Sequence, residues 1–158
     1  MKGSLHWRRP FFGAALFFVF FALLSGPSGC AMGRGTDDPP INEVWHVVYL
    51  AGHPLPRLPN GRVPALRLDG ESVRVSGFTG CNRLGGSYLL AGDSLEFIGL
   101  STTRMACSQP GASVEMVLMQ NLESVARWRR KGKELELLDA KGALLIRLAP
   151  AEEEKPSP

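Results

Sequence analysis

Three cysteines are the residues of this chain whose types and spacing best suit chemistry. Cys30 ends a run of small residues near the start, whereas Cys81 and Cys107 lie in segments with strand-like sequence. Such a pair can form a disulfide or act as reactive thiols. Neither residue belongs to a Cys-x-x-Cys motif, and Arg83 and Arg104 are the only basic residues nearby. Little in the local sequence would therefore stabilise a thiolate.

Other catalytic and metal-binding patterns are weak. His46 and His53 are the histidines outside residues 1–30, and their spacing fits none of the usual zinc patterns. The chain has no Gly-x-Ser-x-Gly elbow, and its glycine-rich run is neither Gly-x-Gly-x-x-Gly nor a P-loop. We predict no catalytic residue, no metal and no cofactor, with a hydrolase or redox enzyme as the alternative.

The first 29 residues have the layout of a secretory signal. Lys2, Arg8 and Arg9 precede an uncharged apolar run over residues 11–24, and small residues follow. A spanning helix needs roughly 20 apolar residues, so this run is short for a permanent anchor.

Cys30 is placed where a bacterial lipoprotein signal is cut, so that its thiol carries the lipid. The alternative is ordinary cleavage nearby, for example after Ala31. Three cysteines are an odd number for an exported protein, and acylation of Cys30 leaves Cys81 and Cys107 to pair. Export also places that pair in an oxidising compartment, which favours a disulfide over a reactive site.

The charge balance argues against a nucleic-acid partner. Of the 18 basic and 15 acidic residues, three basic residues and no acidic residue lie in positions 1–30. The remainder carries 15 of each sign and is neutral, whereas nucleic-acid binding requires a basic surface on the folded part. A membrane contact is expected through the lipid at Cys30, and the alternative is a contact of the basic run 127–133 with anionic lipid.

Period-two alternation of apolar residues dominates the globular part, residues 43–149. Trp45, Val47 and Tyr49 are expected on one face of the first strand. Turn residues separate strand pairs that predict hairpins, and a further turn at 131–133 directs Trp128 to the core. The predicted hairpin strands are 65–68 with 73–76, 87–90 with 94–97, and 134–138 with 143–148.

One segment has helical spacing. Apolar residues recur every three or four positions between 114 and 126, with Ser113 as the expected N-cap and Glu115 favourable in the first turn. The sequence thus predicts an α+β fold, in which a small antiparallel sheet or partial barrel of about seven to eight strands packs with one α-helix. Residues 30–42 would be a lipid-attached flexible linker, residues 52–64 a long proline-rich loop, and residues 150–158 a disordered tail.

Two segments carry a resemblance to a known family. The run from Gly77 to Tyr88 and the run from Ser101 to Cys107 resemble the signature of the META domain family, also called HslJ-like heat-shock lipoproteins. The resemblance covers about residues 43–149, including Trp45 and the closing strands. It implies a small antiparallel β domain with one helix, exported and often lipid-anchored in the envelope. It also implies a link to stress tolerance or antibiotic resistance, and no established reaction.

Asn82, Thr103 and Arg104 lie beside the predicted disulfide. They are candidates for a small polar binding patch, or else Asn82 bonds turn amides and Arg104 pairs with a carboxylate. We expect a non-enzymatic outer-membrane lipoprotein that faces the periplasm and binds an envelope protein or a small ligand. The alternative is a carrier with an apolar cavity between the helix and the sheet.

Overall fold

Nine strands and one helix make up the part of the chain that the computed structural model describes, residues 38–59 and 61–151. The predicted signal, Cys30 and most of the predicted linker and tail lie outside these residues. No helix in the described ranges is long and apolar enough to cross a membrane. The elements are β1 (Val44–Leu50), β2 (His53–Pro54), β3 (Ala65–Asp69), β4 (Arg74–Phe78), β5 (Arg83–Ala91), β6 (Ser94–Thr102), α1 (Gly111–Glu123), β7 (Arg127–Lys131), β8 (Glu134–Leu138) and β9 (Leu144–Pro150).

The strands form one antiparallel sheet that curls into an incomplete barrel. Strand β1 pairs with β3 on one side and with β9 on the other, which brings the two ends of the sheet together. The contact between β6 and β7 is the weakest part of the ring, because only Ser94 and Arg127 are paired there. Helix α1 connects these two strands and packs against β6 and β9. The α+β partial barrel with one helix is confirmed, and the short β2 brings the strands to nine.

The predicted hairpins are confirmed, although several strand boundaries differ from the prediction. Strands β3 with β4, β5 with β6, β7 with β8 and β8 with β9 pair in antiparallel register. Val73 was expected in a strand but lies in the turn before β4 at φ 54°. This left-handed conformation is unfavourable for a β-branched residue. Trp128 points into the core as predicted, and Arg127 and Arg129 are exposed.

The prediction for β1 is wrong at Tyr49. Trp45 and Val47 are buried, but the register with β9 shifts between Val47 and Tyr49. Such a bulge inserts an extra residue and reverses the inward and outward positions that follow it. Strict alternation would bury Tyr49, but after the bulge Leu50 is buried and Tyr49 is only half-buried.

Helix α1 covers the core with an apolar stripe. Leu118 and Leu122 are fully buried against the sheet, and Val114 is nearly so. The helix begins at Gly111 behind Pro110 and has no side-chain cap, so the predicted N-cap at Ser113 is wrong. The Ser113 hydroxyl instead donates to Gln109 Oε1 at 2.7 Å.

Residues 38–42, which were predicted as linker, pack against the barrel. The Trp45 indole N–H donates to the carbonyl of Pro40 at 3.2 Å, and the backbone N–H of Asn42 donates to the carbonyl of Leu68 at 2.7 Å. Arg130 Nε donates to the Asp38 carbonyl at 3.0 Å, and its guanidinium lies 5.0 Å from the Trp45 ring. A buried indole and a largely covered arginine therefore hold this segment to the domain.

Candidate functional site

A disulfide joins Cys81 to Cys107, as predicted. Cys81 lies in the turn between β4 and β5, and Cys107 lies in the segment that connects β6 to α1. Their Cα atoms are 5.9 Å apart, within the usual range for a disulfide. The bond therefore ties the connection between β6 and α1 to the turn between β4 and β5, beside the start of α1.

Asn82 is the centre of a buried polar cluster beside this disulfide. Its Oδ1 atom accepts hydrogen bonds from the Thr103 hydroxyl and from the Met105 amide, both at 2.8 Å. Its Nδ2 atom donates to Glu115 Oε1 at 3.0 Å and lies 3.4 Å from the sulfur of Cys107. The side chain is 3% exposed, and its hydrogen-bonding capacity is used inside the protein.

Glu115 reaches this cluster from the helix. Its Oε2 atom accepts the backbone N–H of Asn82 at 3.0 Å and the hydroxyl of the buried Thr79. The Thr79 side chain also bonds the backbone of Asn82, so the turn between β4 and β5 meets the helix at one carboxylate. We call Thr79, Asn82, Thr103, Glu115 and the Cys81–Cys107 disulfide the polar junction.

The prediction that Glu115 lies in the first turn of the helix is wrong, because α1 begins at Gly111 and its first turn contains no acidic residue. The available signal was its position on the helix, since an ideal turn places it next to Leu118 and Leu122 on the apolar stripe. A carboxylate at the edge of a buried face needs hydrogen-bond donors. Thr79 and Asn82 supply them from the turn between β4 and β5.

Two glycines make the turn possible. A Cβ atom on Gly77 would overlap the carbonyl oxygen of Ala65 in β3. Gly80 has φ +108°, and a Cβ atom there would lie 3.2 Å from both Leu58 and Val114. Both positions therefore require glycine.

The structure brings together only part of the predicted binding patch. Asn82 and Thr103 meet in the junction, whereas Arg104 is exposed and points to no carboxylate within ion-pair distance among the described residues. Every buried side-chain nitrogen and oxygen in the described ranges has a hydrogen-bond partner. The junction is thus a bracing element, and Asn82 has no polar atom left for a ligand.

The cysteines and Glu115 are also the one group of metal-type ligands that lies together in the described part of the chain. Their donor atoms lie within 4.8 Å of one another. Metal binding needs thiolates, and both sulfurs are consumed by the disulfide. His46 and His53 take part in no such group within the described ranges.

A buried carboxylate, Glu136, lies on β8 and is surrounded by three cations. Its Oε2 atom lies 2.6 Å from Arg129, and its Oε1 atom lies 3.2 Å from Arg147 and 3.8 Å from Lys131. Burial alone would raise the pKa of Glu136. The hydrogen bond from Arg129 and the three positive charges outweigh burial and lower the pKa below its ordinary value.

The proline-rich loop forms the wall of a surface groove of about 550 Å³. Val47 and Val48 of β1 line one side, and residues 55–59 and 61–63 line the other. A neighbouring groove of about 300 Å³ shares Arg62 with the first. The guanidinium of Arg62 lies 3.7 Å from the centre of the Phe78 ring.

A third groove, of about 320 Å³, is almost entirely apolar. It lies between the first turns of α1 and the connection from β1 to β2. Val114 and Val117 line its helical side, and Leu50, Pro54 and Pro56 line the other. Leu118 and Leu122 fill the space between the helix and the sheet.

A curled antiparallel sheet, one helix and a disulfide-braced polar junction define a small α+β domain. The chain belongs to the META domain family, whose model matches residues 39–152. None of the curated proteins matches the sequence.

Solved structures share the fold. A protein from Burkholderia xenovorans, solved by NMR, is 25% identical with a TM-score of 0.59 over 72% of this chain and 85% of that one. A second NMR structure is 23% identical with a TM-score of 0.56 over 72% and 92%. A crystal structure of a DUF4847 family protein from Bacteroides vulgatus is 14% identical with a TM-score of 0.50 over 71% and 94%.

Proposed function

We propose that this META domain protein is an exported lipoprotein that works by binding and performs no catalysis. The observation that carries the proposal is the polar junction, in which the signature residues bond to one another. A catalytic constellation needs a reactive group within reach of a substrate, and the polar atoms of Asn82 and Glu115 are already engaged with the protein. The signature residues then serve the fold, and recognition falls to the surface.

The disulfide supports export, because disulfides persist in oxidising compartments. Cys30 would carry the lipid, and Ala31 behind it favours the outer membrane by the usual sorting expectation for such lipoproteins. Globomycin, which blocks lipoprotein signal cleavage, should cause the precursor to accumulate. Mass spectrometry should find acyl groups on Cys30, and an unacylated mature N-terminus would remove the anchor from the proposal.

The groove between β1 and the proline-rich loop supports recognition of an envelope protein or a small envelope component. It is concave, partly apolar and large enough for a small ligand. The test is affinity capture from envelope extracts with the protein as bait. Val63→Asp in the groove should lose the captured component, and Val73→Asp, an equally exposed change in the turn before β4, should retain it. Equal capture by both variants would place recognition elsewhere.

A role in envelope stress tolerance or antibiotic resistance follows from the family resemblance. A strain that lacks the protein should grow more slowly under envelope stress, and the wild-type gene should restore growth. Restoration by the Val63→Asp variant would separate the phenotype from the groove.

The apolar groove beside α1 favours a second function, transport of a small apolar ligand in the periplasm. Its walls offer Val114, Val117 and Leu50 to an apolar molecule. Organic extraction of the purified protein followed by mass spectrometry tests this function. A stoichiometric lipid that is lost in Val117→Asp would support the carrier.

A further inference from the structure

Three stretches of this chain carry basic but no acidic residues. Residues 47–68, 77–92 and 97–114 contain no aspartate and no glutamate, although they carry five arginines. The acidic residues of the described part lie at other positions, and Glu115 next to these segments is engaged in the polar junction. These five arginines are Arg57, Arg62, Arg67, Arg83 and Arg104.

The two grooves that share Arg62 are built from this acid-free part of the chain. Arg57 and Arg62 line the larger groove, and Arg62 and Arg83 line the smaller one. No carboxylate is among the described residues that line either groove. The Arg62 guanidinium packs over the ring of Phe78, and this contact holds it between the two grooves.

Large apolar side chains are exposed in the same grooves. Val48 and Val63 in the larger groove are 38% and 42% exposed, and Met105 in the smaller groove is 60% exposed. An apolar wall gains free energy when a ligand removes it from water. Arginine recognises phosphate and carboxylate through paired N–H donors. One surface therefore offers both kinds of contact.

We propose that these joined grooves bind an anionic amphiphile, which is a molecule with a phosphate or carboxylate head and a short apolar chain. Arg57 and Arg83 hold the head, and Val48 and Val63 contact the chain. The volume of about 550 Å³ lies in the range of small-ligand sites. This inference rests on the binding function proposed above and names the ligand class of that site.

The test uses the purified full chain in zwitterionic nanodiscs, with octyl phosphate as the probe in titration calorimetry and empty nanodiscs subtracted. Octyl glucoside matches the chain without the charge, and inorganic phosphate matches the head without the chain. We expect octyl phosphate to bind at least tenfold more tightly than either and to weaken as salt is added, because screening reduces the contribution of exposed charges.

Two matched pairs of variants assign the site. Arg57→Gln with Arg83→Gln removes two charges from the grooves and should weaken binding about tenfold. Arg74→Gln with Lys133→Gln removes two exposed charges, one at the start of β4 and one in the turn between β7 and β8, and should leave binding unchanged. A further variant, Val63→Ser, should weaken the binding of octyl phosphate and leave any binding of inorganic phosphate unchanged.

Three results would overturn the proposal. Binding of octyl glucoside as tight as that of octyl phosphate would remove the role of the arginines. Binding of inorganic phosphate as tight as that of octyl phosphate would leave a plain anion site. Equal weakening by the two charge pairs would place the contact off the grooves. Because the probes are added in solution, absence of lipid at Cys30 or recovery of a protein partner does not alter these readings.

Discussion

Replacement of Glu115 by alanine tests whether the polar junction braces the fold. The substitution removes the acceptor for the Asn82 side chain, the Asn82 backbone N–H and the Thr79 hydroxyl. The last two keep a second partner, because Thr79 Oγ1 lies 3.1 Å from the Asn82 nitrogen and 3.0 Å from its carbonyl. Only Asn82 Nδ2 loses its oxygen acceptor outright.

The expected loss is about 2–3 kcal/mol in the free energy of unfolding. A buried donor without an acceptor costs about 1–3 kcal/mol, and hydrogen bonds to a charged group lie toward the upper part of the range for hydrogen bonds. Glu115→Gln retains the shape and one acceptor oxygen, so we expect it to cost about 1 kcal/mol. The double variant Glu115→Ala with Asn82→Ala should lose less than the sum of the single losses, since the two residues share one bond.

Urea unfolding of the oxidised protein, followed by tryptophan fluorescence, measures these losses as shifts of the midpoint at constant slope. Glu123→Ala, at the exposed end of the same helix, is the control and should stay within about 0.5 kcal/mol of the wild type. If Glu115→Ala unfolds at the same urea concentration as the control, the junction does not stabilise the domain and its residues are free for another role.

Three further changes have defined outcomes. Cys81→Ala with Cys107→Ala should cost about 3–4 kcal/mol in urea unfolding, since the bond closes a loop over a sequence separation of 26; a loss below about 1 kcal/mol would contradict a structural disulfide. The lowered pKa of Glu136 adds stability that is present above its ordinary value of 4.5 and lost as pH falls through the lower folded value. The difference in unfolding free energy between wild type and Glu136→Gln should therefore shrink below pH 4.5, and a constant difference from pH 7 to 3 would refute this assignment. Val73→Asn should raise the melting temperature, with a gain of about 1 kcal/mol, because asparagine tolerates positive φ better than a β-branched residue; a lower melting temperature would show that no strain is relieved.

The strands were predictable because the sheet has one buried and one solvated face. Alternation therefore locates the hairpins, and the turn residues set their ends. The β1 bulge was not predictable from alternation, since the register shift depends on how β1 meets β9 some 100 residues later. The ring closure between β1 and β9 has the same long-range origin.

The sequence predicts the disulfide of the site but not the role of Glu115. The disulfide followed from cysteine number and an export signal, both of which are local features. The role of Glu115 depends on the docking of α1 against the turn between β4 and β5, and no spacing along the chain encodes that contact. Arg57 and Arg62 in the proline-rich loop and Arg83 in β5 form a common surface only after the barrel curls.

The covalent state of Cys81 and Cys107 in the protein as isolated from cells decides whether a disulfide braces the polar junction. Alkylation of the denatured, unreduced chain followed by proteolysis and mass spectrometry reads this state. We predict one pair of peptides joined through Cys81 and Cys107, with no alkyl group on either residue before reduction. Full alkylation of both cysteines without reductant would contradict a braced junction and return the two thiols to consideration as a reactive site.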